Sequence, residues 1–161
     1  MSLSKGKLAV LAAATAILML TAPVAAGNPF SMLVGTWAGK GTARLDGGKR
    51  ERISCRGYYS GKGAKVLRLN IICANPSTKV ELRSVLNYLD GRVSGTWEER
   101  NFNQSGTISG RVTDTEMKLS IEGGGLNGYL KMTFGESSQS VTILTNGSAL
   151  KGMNIELART S

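Results

Sequence analysis

The feature that most restricts this chain is a two-residue alternation of apolar and polar side chains in short runs. Each run is broken by glycine or a polar turn, and no long stretch has helical periodicity. Successive side chains on a strand point to opposite faces, so the pattern describes half-buried antiparallel strands. In the first run Leu33, Gly35, Trp37, Gly39, Gly41, Ala43 and Leu45 share one parity, and Thr36, Lys40, Thr42 and Arg44 share the other. Ile53, Cys55, Gly57 and Tyr59 follow, then Leu67, Leu69, Ile71 and Cys73. Asp90-Gly91, between Lys79–Tyr88 and Arg92–Arg100, is suited to a type I′ hairpin turn. That turn sets Leu86 opposite Gly95 and Ser84 opposite Trp97. Ser105–Val112, Glu116–Ile121, Leu126–Phe134, Ser140–Leu144 and Met153–Leu157 bring the expected count to eight to ten strands. Meander order without crossover helices predicts an all-β fold, an antiparallel up-and-down β-barrel, with a two-sheet β-sandwich as the alternative.

Residues 1–26 read differently. Lys5 and Lys7 supply a positive start, Leu8–Leu20 is an apolar run of 13 residues, and Val24-Ala25-Ala26 offers a small-residue cleavage pattern. This is the order of a cleavable secretory signal peptide, and the run is shorter than the roughly 20 residues a spanning helix needs. Residues 27–161 are then expected to form a single barrel domain, periplasmic or secreted, with no transmembrane segment after cleavage. The formal net charge is +9. Lys5 and Lys7 carry two of those charges, so +7 remains on the rest.

Export places Cys55 and Cys73 where disulfides persist. The two cysteines are equidistant from Ala64, in the turn-rich Ser60–Lys65 segment between two strand-like runs. A hairpin folded there sets them opposite each other, and a cross-strand disulfide is expected. A metal-binding or reactive pair fits less well, since neither a CxxC spacing nor a histidine accompanies them.

The chain contains no histidine, which removes the commonest general base and the imidazole metal ligand. Glu98 and Glu99 are adjacent and so point to opposite faces of a strand, unable to work as an acid/base pair. Glu99 has the inward parity of Trp97 and needs a partner there. Gly39-Lys40-Gly41-Thr42 lacks the glycine spacing and the following helix of a phosphate loop. No catalytic residue, metal site or cofactor is predicted.

Two features point to binding. Trp37, Tyr59, Leu69, Leu86 and Trp97 share the inward orientation and are candidate lining for a cavity holding a small apolar ligand, against the alternative of a filled core. Lys40, Arg44, Arg52, Arg56 and Arg68 share the outward parity of three consecutive strands, with Tyr58 beside them, and form a candidate basic patch. Such a patch attracts acidic protein surfaces, lipid head groups or envelope glycans; no nucleic-acid-binding motif accompanies it.

Gly35-Thr36-Trp37 resembles the Gly-x-Trp opening of the calycin barrels, which include lipocalins and avidins. A longer set is similar to a group of small exported bacterial proteins of uncharacterised function: Trp37-Ala38-Gly39, Arg50–Arg56, Ile72-Cys73-Ala74 and Ser94–Glu98. The resemblance spans roughly residues 33 to 112 and implies an exported barrel in a bacterial envelope; it brings no catalytic residue and no ligand. The expected function is a non-enzymatic exported binding module that uses its basic outer face on an anionic envelope component or a protein. The alternatives are a calycin-type carrier of a small apolar ligand, or an inhibitor of a secreted hydrolase acting through Glu122–Asn127 or Gly135–Gln139.

Overall fold

A computed structural model describes residues 28–63 and 65–161; the signal-peptide reading of residues 1–26 lies outside the described residues. A short helix α1 (Pro29–Leu33) precedes ten strands: β1 (Gly35–Leu45), β2 (Arg50–Lys62), β3 (Val66–Ala74), β4 (Lys79–Leu89), β5 (Arg92–Glu99), β6 (Gln104–Val112), β7 (Glu116–Gly123), β8 (Leu126–Phe134), β9 (Ser138–Asn146) and β10 (Leu150–Arg159). Each pairs antiparallel with its sequence neighbours, and β10 returns to β1, giving a closed up-and-down barrel. The barrel is the expected fold, and the sandwich alternative falls.

The registers follow the turns. Cys55 lies opposite Cys73, 4.1 Å apart at Cα, and the two form a disulfide. Asp90 and Gly91 have φ of 48° and 77°, the left-handed values a type I′ turn requires, and they set Leu86 opposite Gly95 and Ser84 opposite Trp97. Inward parity then carries the core: Ile53, Cys55 and Tyr59 on β2, Met117, Leu119 and Ile121 on β7, and Ile155 and Leu157 on β10 are all buried. Apolar side chains fill the inside and polar ones cover the outside, the reverse of the apolar outer band on a membrane-spanning barrel.

The indole of Trp97 reaches sideways over β6 to donate to the Glu122 carbonyl on β7 (3.2 Å). It can do so because Gly106 lies beneath it, where a β-carbon would collide with both that oxygen and the indole nitrogen.

Helix α1 covers one end of the barrel. Asn28 caps it, Pro29 opens its first turn, and Phe30 and Leu33 are buried, with Phe30 tilted against Tyr88 at 5.7 Å between ring centroids. Trp37 Nε1 donates to the Leu33 carbonyl (2.9 Å). The Arg159 guanidinium lies 4.1 Å from the Trp37 ring centroid and donates to the carbonyls of Glu136 (2.5 Å), Val34 (2.6 Å) and Met32 (2.5 Å). One planar cation thus joins the helix segment, the β8–β9 turn and both seam strands.

Replacing both cysteines by alanine should lower the unfolding free energy by about 3 kcal/mol, the loop-closure contribution of a short ring, measured by urea titration. An unchanged midpoint would show that the hairpin register holds without the bond.

Candidate functional site: the cationic outer face and its groove

The outward positions of β1, β2 and β3 hold an unbalanced set of charges. Lys40 and Arg44 on β1, Arg50, Arg52, Arg56 and Lys62 on β2, and Arg68 on β3 all point out, and none of the outward positions on these strands is acidic. Among the described residues none of the seven forms an ion pair. The register brings them together in pairs of rows: Arg44 opposite Arg50, Thr42 opposite Arg52, and Ala38 opposite Arg56. Lys40 lies between Ser54 on β2 and Glu156 on β10, so the field weakens toward the seam. Of the five cations expected as a patch, Lys40, Arg44, Arg52 and Arg56 share the β1–β2 surface. Arg68 stands apart, opposite Ser60, with the Tyr58–Asn70 row between it and Arg56. The sequence reading left out Arg50, which precedes the apolar alternation that starts at Ile53, and Lys62, which lies in the Ser60–Lys65 segment read as a turn; both have the parity of Arg52 and Arg56, which was the available signal.

Several acids elsewhere are engaged with local partners. The Lys118 ammonium and then Lys131 hold the Glu116 carboxyl below its ordinary range, and Glu116 in turn raises Lys118. Lys49 and Asn75 do the same for Glu51. Glu99, 7% exposed, accepts from the backbone N–H of Phe102 (2.6 Å) and of Glu81 (2.9 Å), so this inward carboxylate secures the β5–β6 turn.

Beside the cationic face a groove of about 1040 Å³ crosses the outer surface of β1–β6. Its floor is two lateral rows of outward side chains. One runs Thr36, Tyr58, Asn70, Arg83, Glu98, Ser105, and the next runs Ser60, Arg68, Val85, Thr96, Thr107. Tyr58 and Val85 are exposed apolar surface here, and the Asn70 side-chain oxygen is buried without a hydrogen-bond partner. Arg83 is held by Glu81 at 2.8 Å, whereas Arg68 forms no ion pair among the described residues. The groove therefore combines apolar contact, a free guanidinium and an unmet acceptor.

The five residues read as cavity lining point into the barrel. Trp37, Tyr59, Leu86 and Trp97 are buried in the core, while Leu69 is half-buried and packs against it. Tyr59 OH donates to Gln139 Oε1 (3.3 Å), and the Gln139 amide nitrogen has no partner among the described residues. The two segments expected as protruding loops are compact. Glu122–Asn127 is mostly strand, with only Gly124 and Gly125 between β7 and β8, and Gly135–Gln139 ends inside β9, where Gln139 is buried.

No family model matches the chain, and no curated protein matches it. Solved structures do. The S-type phycobiliprotein lyase CPES from Guillardia theta superposes with a TM-score of 0.64 at 10% identity, over 82% of this chain and 90% of that one. Rv2717c from M. tuberculosis gives 0.65 at 16% identity, over 81% and 94%. The barrel is calycin-like. EF1p2_mFAP2b, solved bound to DFHBI, shares the calycin-like architecture at a TM-score of 0.54 and 8% identity, over 84% of this chain and 100% of that one. At these identities the likeness is one of fold.

Burial pushes the Tyr59 phenol well above its ordinary pKa. The unfolded phenol ionises near pH 10, so above that pH the unfolded state binds fewer protons and stability falls. The stability is complete below about pH 10 and is lost as pH rises toward the folded pKa. Chemical denaturation of the wild type at rising pH should show this alkaline loss, with a slope of at most about 1.4 kcal/mol per pH unit from this group. Tyr59→Phe should flatten it; an identical alkaline limb in the variant would assign the loss to other groups.

Proposed function

We propose that the protein is a non-enzymatic, exported binding module that captures an acidic partner on the outer face of β1–β3, in the periplasm or outside the cell. The observation that carries this reading is the set of seven unpaired cations on three adjacent strands with no outward carboxylate among them. A surface of one sign raises the local concentration of opposite charge and steers association, and the rigid barrel holds it fixed with little ordering cost. The groove at its edge supplies what charge alone lacks, apolar contact at Tyr58 and Val85 beside the free Arg68. The chain has no histidine, and Glu99 is occupied by its own turn, which leaves little for acid–base catalysis.

A second reading, a carrier of a small apolar ligand, is favoured by Leu69, Ile71, Leu82 and Ile143, which face inward yet stay partly exposed. One barrel of this fold was solved bound to DFHBI, a small ligand. Titration with a hydrophobic fluorescent probe tests it; Trp97→Phe should change the response if the probe enters the barrel.

The leading reading is tested by capture from the host's exported fraction on immobilised protein. Changing Arg52, Arg56 and Arg68 together to alanine should cut retention of the partner at least tenfold at low salt, with thermal unfolding unchanged, and raised salt should mimic the variant. Changing Arg92, Arg111 and Lys118 to alanine removes the same charge from a lateral row across β5–β7 and should leave capture intact. Equal losses in both variants would reduce the effect to net charge and sink the assignment of the face.

A further inference from the structure

The barrel end opposite α1 carries an exposed aromatic side chain that the reading above does not use. Phe102, in the β5–β6 turn, is 60% exposed. Its turn is held from below: the buried Glu99 carboxylate accepts from Phe102 N and Glu81 N, and Asn101 Nδ2 donates to the Lys79 carbonyl (3.0 Å). Arg100 N donates to the Glu81 carbonyl (3.1 Å). In the neighbouring β3–β4 turn Asn75 reaches Glu51 at the start of β2 (2.5 Å). Three turns are thereby joined into one rim. Lys79 and Arg100 are exposed beside Phe102, and among the described residues neither forms an ion pair. Of the acids at this end, Glu51 is engaged with Lys49, Asp46 with Lys151, Glu81 with Arg83 and Glu99 with the turn itself, while Glu98 and Glu122 are exposed and form no ion pair among the described residues.

We propose that this rim is a docking edge for an anionic bilayer surface, with Phe102 as the anchor and Lys79 and Arg100 flanking it. Phe102 is surrounded by Asn101 and Asn103, so the apolar patch is one ring. A stable protein interface buries on the order of 800 Å² per partner around a clustered anchor, and a single protruding ring does not supply that. A bilayer needs no such patch. It accepts a lone aromatic at the headgroup boundary and offers negative charge to adjacent cations at the same depth. Because the turn is already fixed by Glu99, little conformational freedom is lost on contact. The inference concerns a different surface from the β1–β3 face and stands without it.

The test is sedimentation of the purified protein with vesicles of phosphatidylglycerol and phosphatidylethanolamine, against phosphatidylcholine vesicles. Binding is expected to the anionic vesicles alone and to weaken with salt. Phe102→Ser should lower the partition coefficient roughly tenfold, the scale of burying one aromatic ring. Lys79→Gln and Arg100→Gln should each lower it about fivefold. Phe102→Trp adds a reporter to a protein whose Trp37 and Trp97 are buried, and its emission should move to shorter wavelength on anionic vesicles. That shift should persist when Arg52, Arg56 and Arg68 are alanine, which separates this edge from the cationic face. Failure of the wild type to sediment, Phe102→Ser sedimenting like the wild type, or an unmoved emission in the vesicle-bound Phe102→Trp protein would each overturn the proposal.

Discussion

Closure of the β1–β10 seam is the constraint on which the rest of the molecule depends. Nine hairpin contacts are local and follow from turns, but the tenth joins strands more than a hundred residues apart, and without it the sheet has two exposed edges. Arg159 stabilises the join from both sides. Its guanidinium stacks on Trp37 and donates to three carbonyls, one in the β8–β9 turn and two in the segment leading from α1. The same residues that close the sheet therefore also seat the helix over its end, and Phe30 and Leu33 complete the core there.

Closure also sorts the side chains by sign and polarity. Once the inward parity is committed to the core, the outward charges of β1–β3 must face water and are all cationic, while Glu51, of inward parity at the start of β2, is half-buried against Lys49 and Asn75. A closed sheet cannot rearrange to dilute that field, so the surface is permanent. Two interior polar groups are tied down, Glu99 by backbone donors at the rim and Tyr59 by Gln139 in the core, while the Gln139 amide nitrogen has no partner among the described residues. Cations without ion-pair partners among the described residues are thus left on the outer wall and the rim.

Local chemistry made much of the fold legible. The Asp90-Gly91 turn defined the β4–β5 register, and the symmetric placement of Cys55 and Cys73 about residue 64 defined β2–β3, because a tight turn leaves a hairpin only one pairing that buries its apolar face. The candidate patch was legible for the same reason: Lys40, Arg44, Arg52 and Arg56 are outward by parity alone. Element ends were read less well. β2, β9 and β10 run longer than the apolar alternation shows, since polar residues such as Lys62 and Ser138 extend a strand by backbone pairing, which leaves no trace in hydropathy.

What the sequence by itself determined is the strand content, the hairpin registers, the disulfide partnership and the face on which each side chain lies. These depend on neighbours within a few residues, where period and turn type suffice. The tertiary structure alone decided that the sheet closes, that Arg68 belongs to the groove rather than to the β1–β2 cluster, and that Glu99 fastens a rim presenting Phe102. Each of those rests on lateral neighbours across several strands or around the whole barrel, and strand tilt and stagger fix them only when the last strand meets the first.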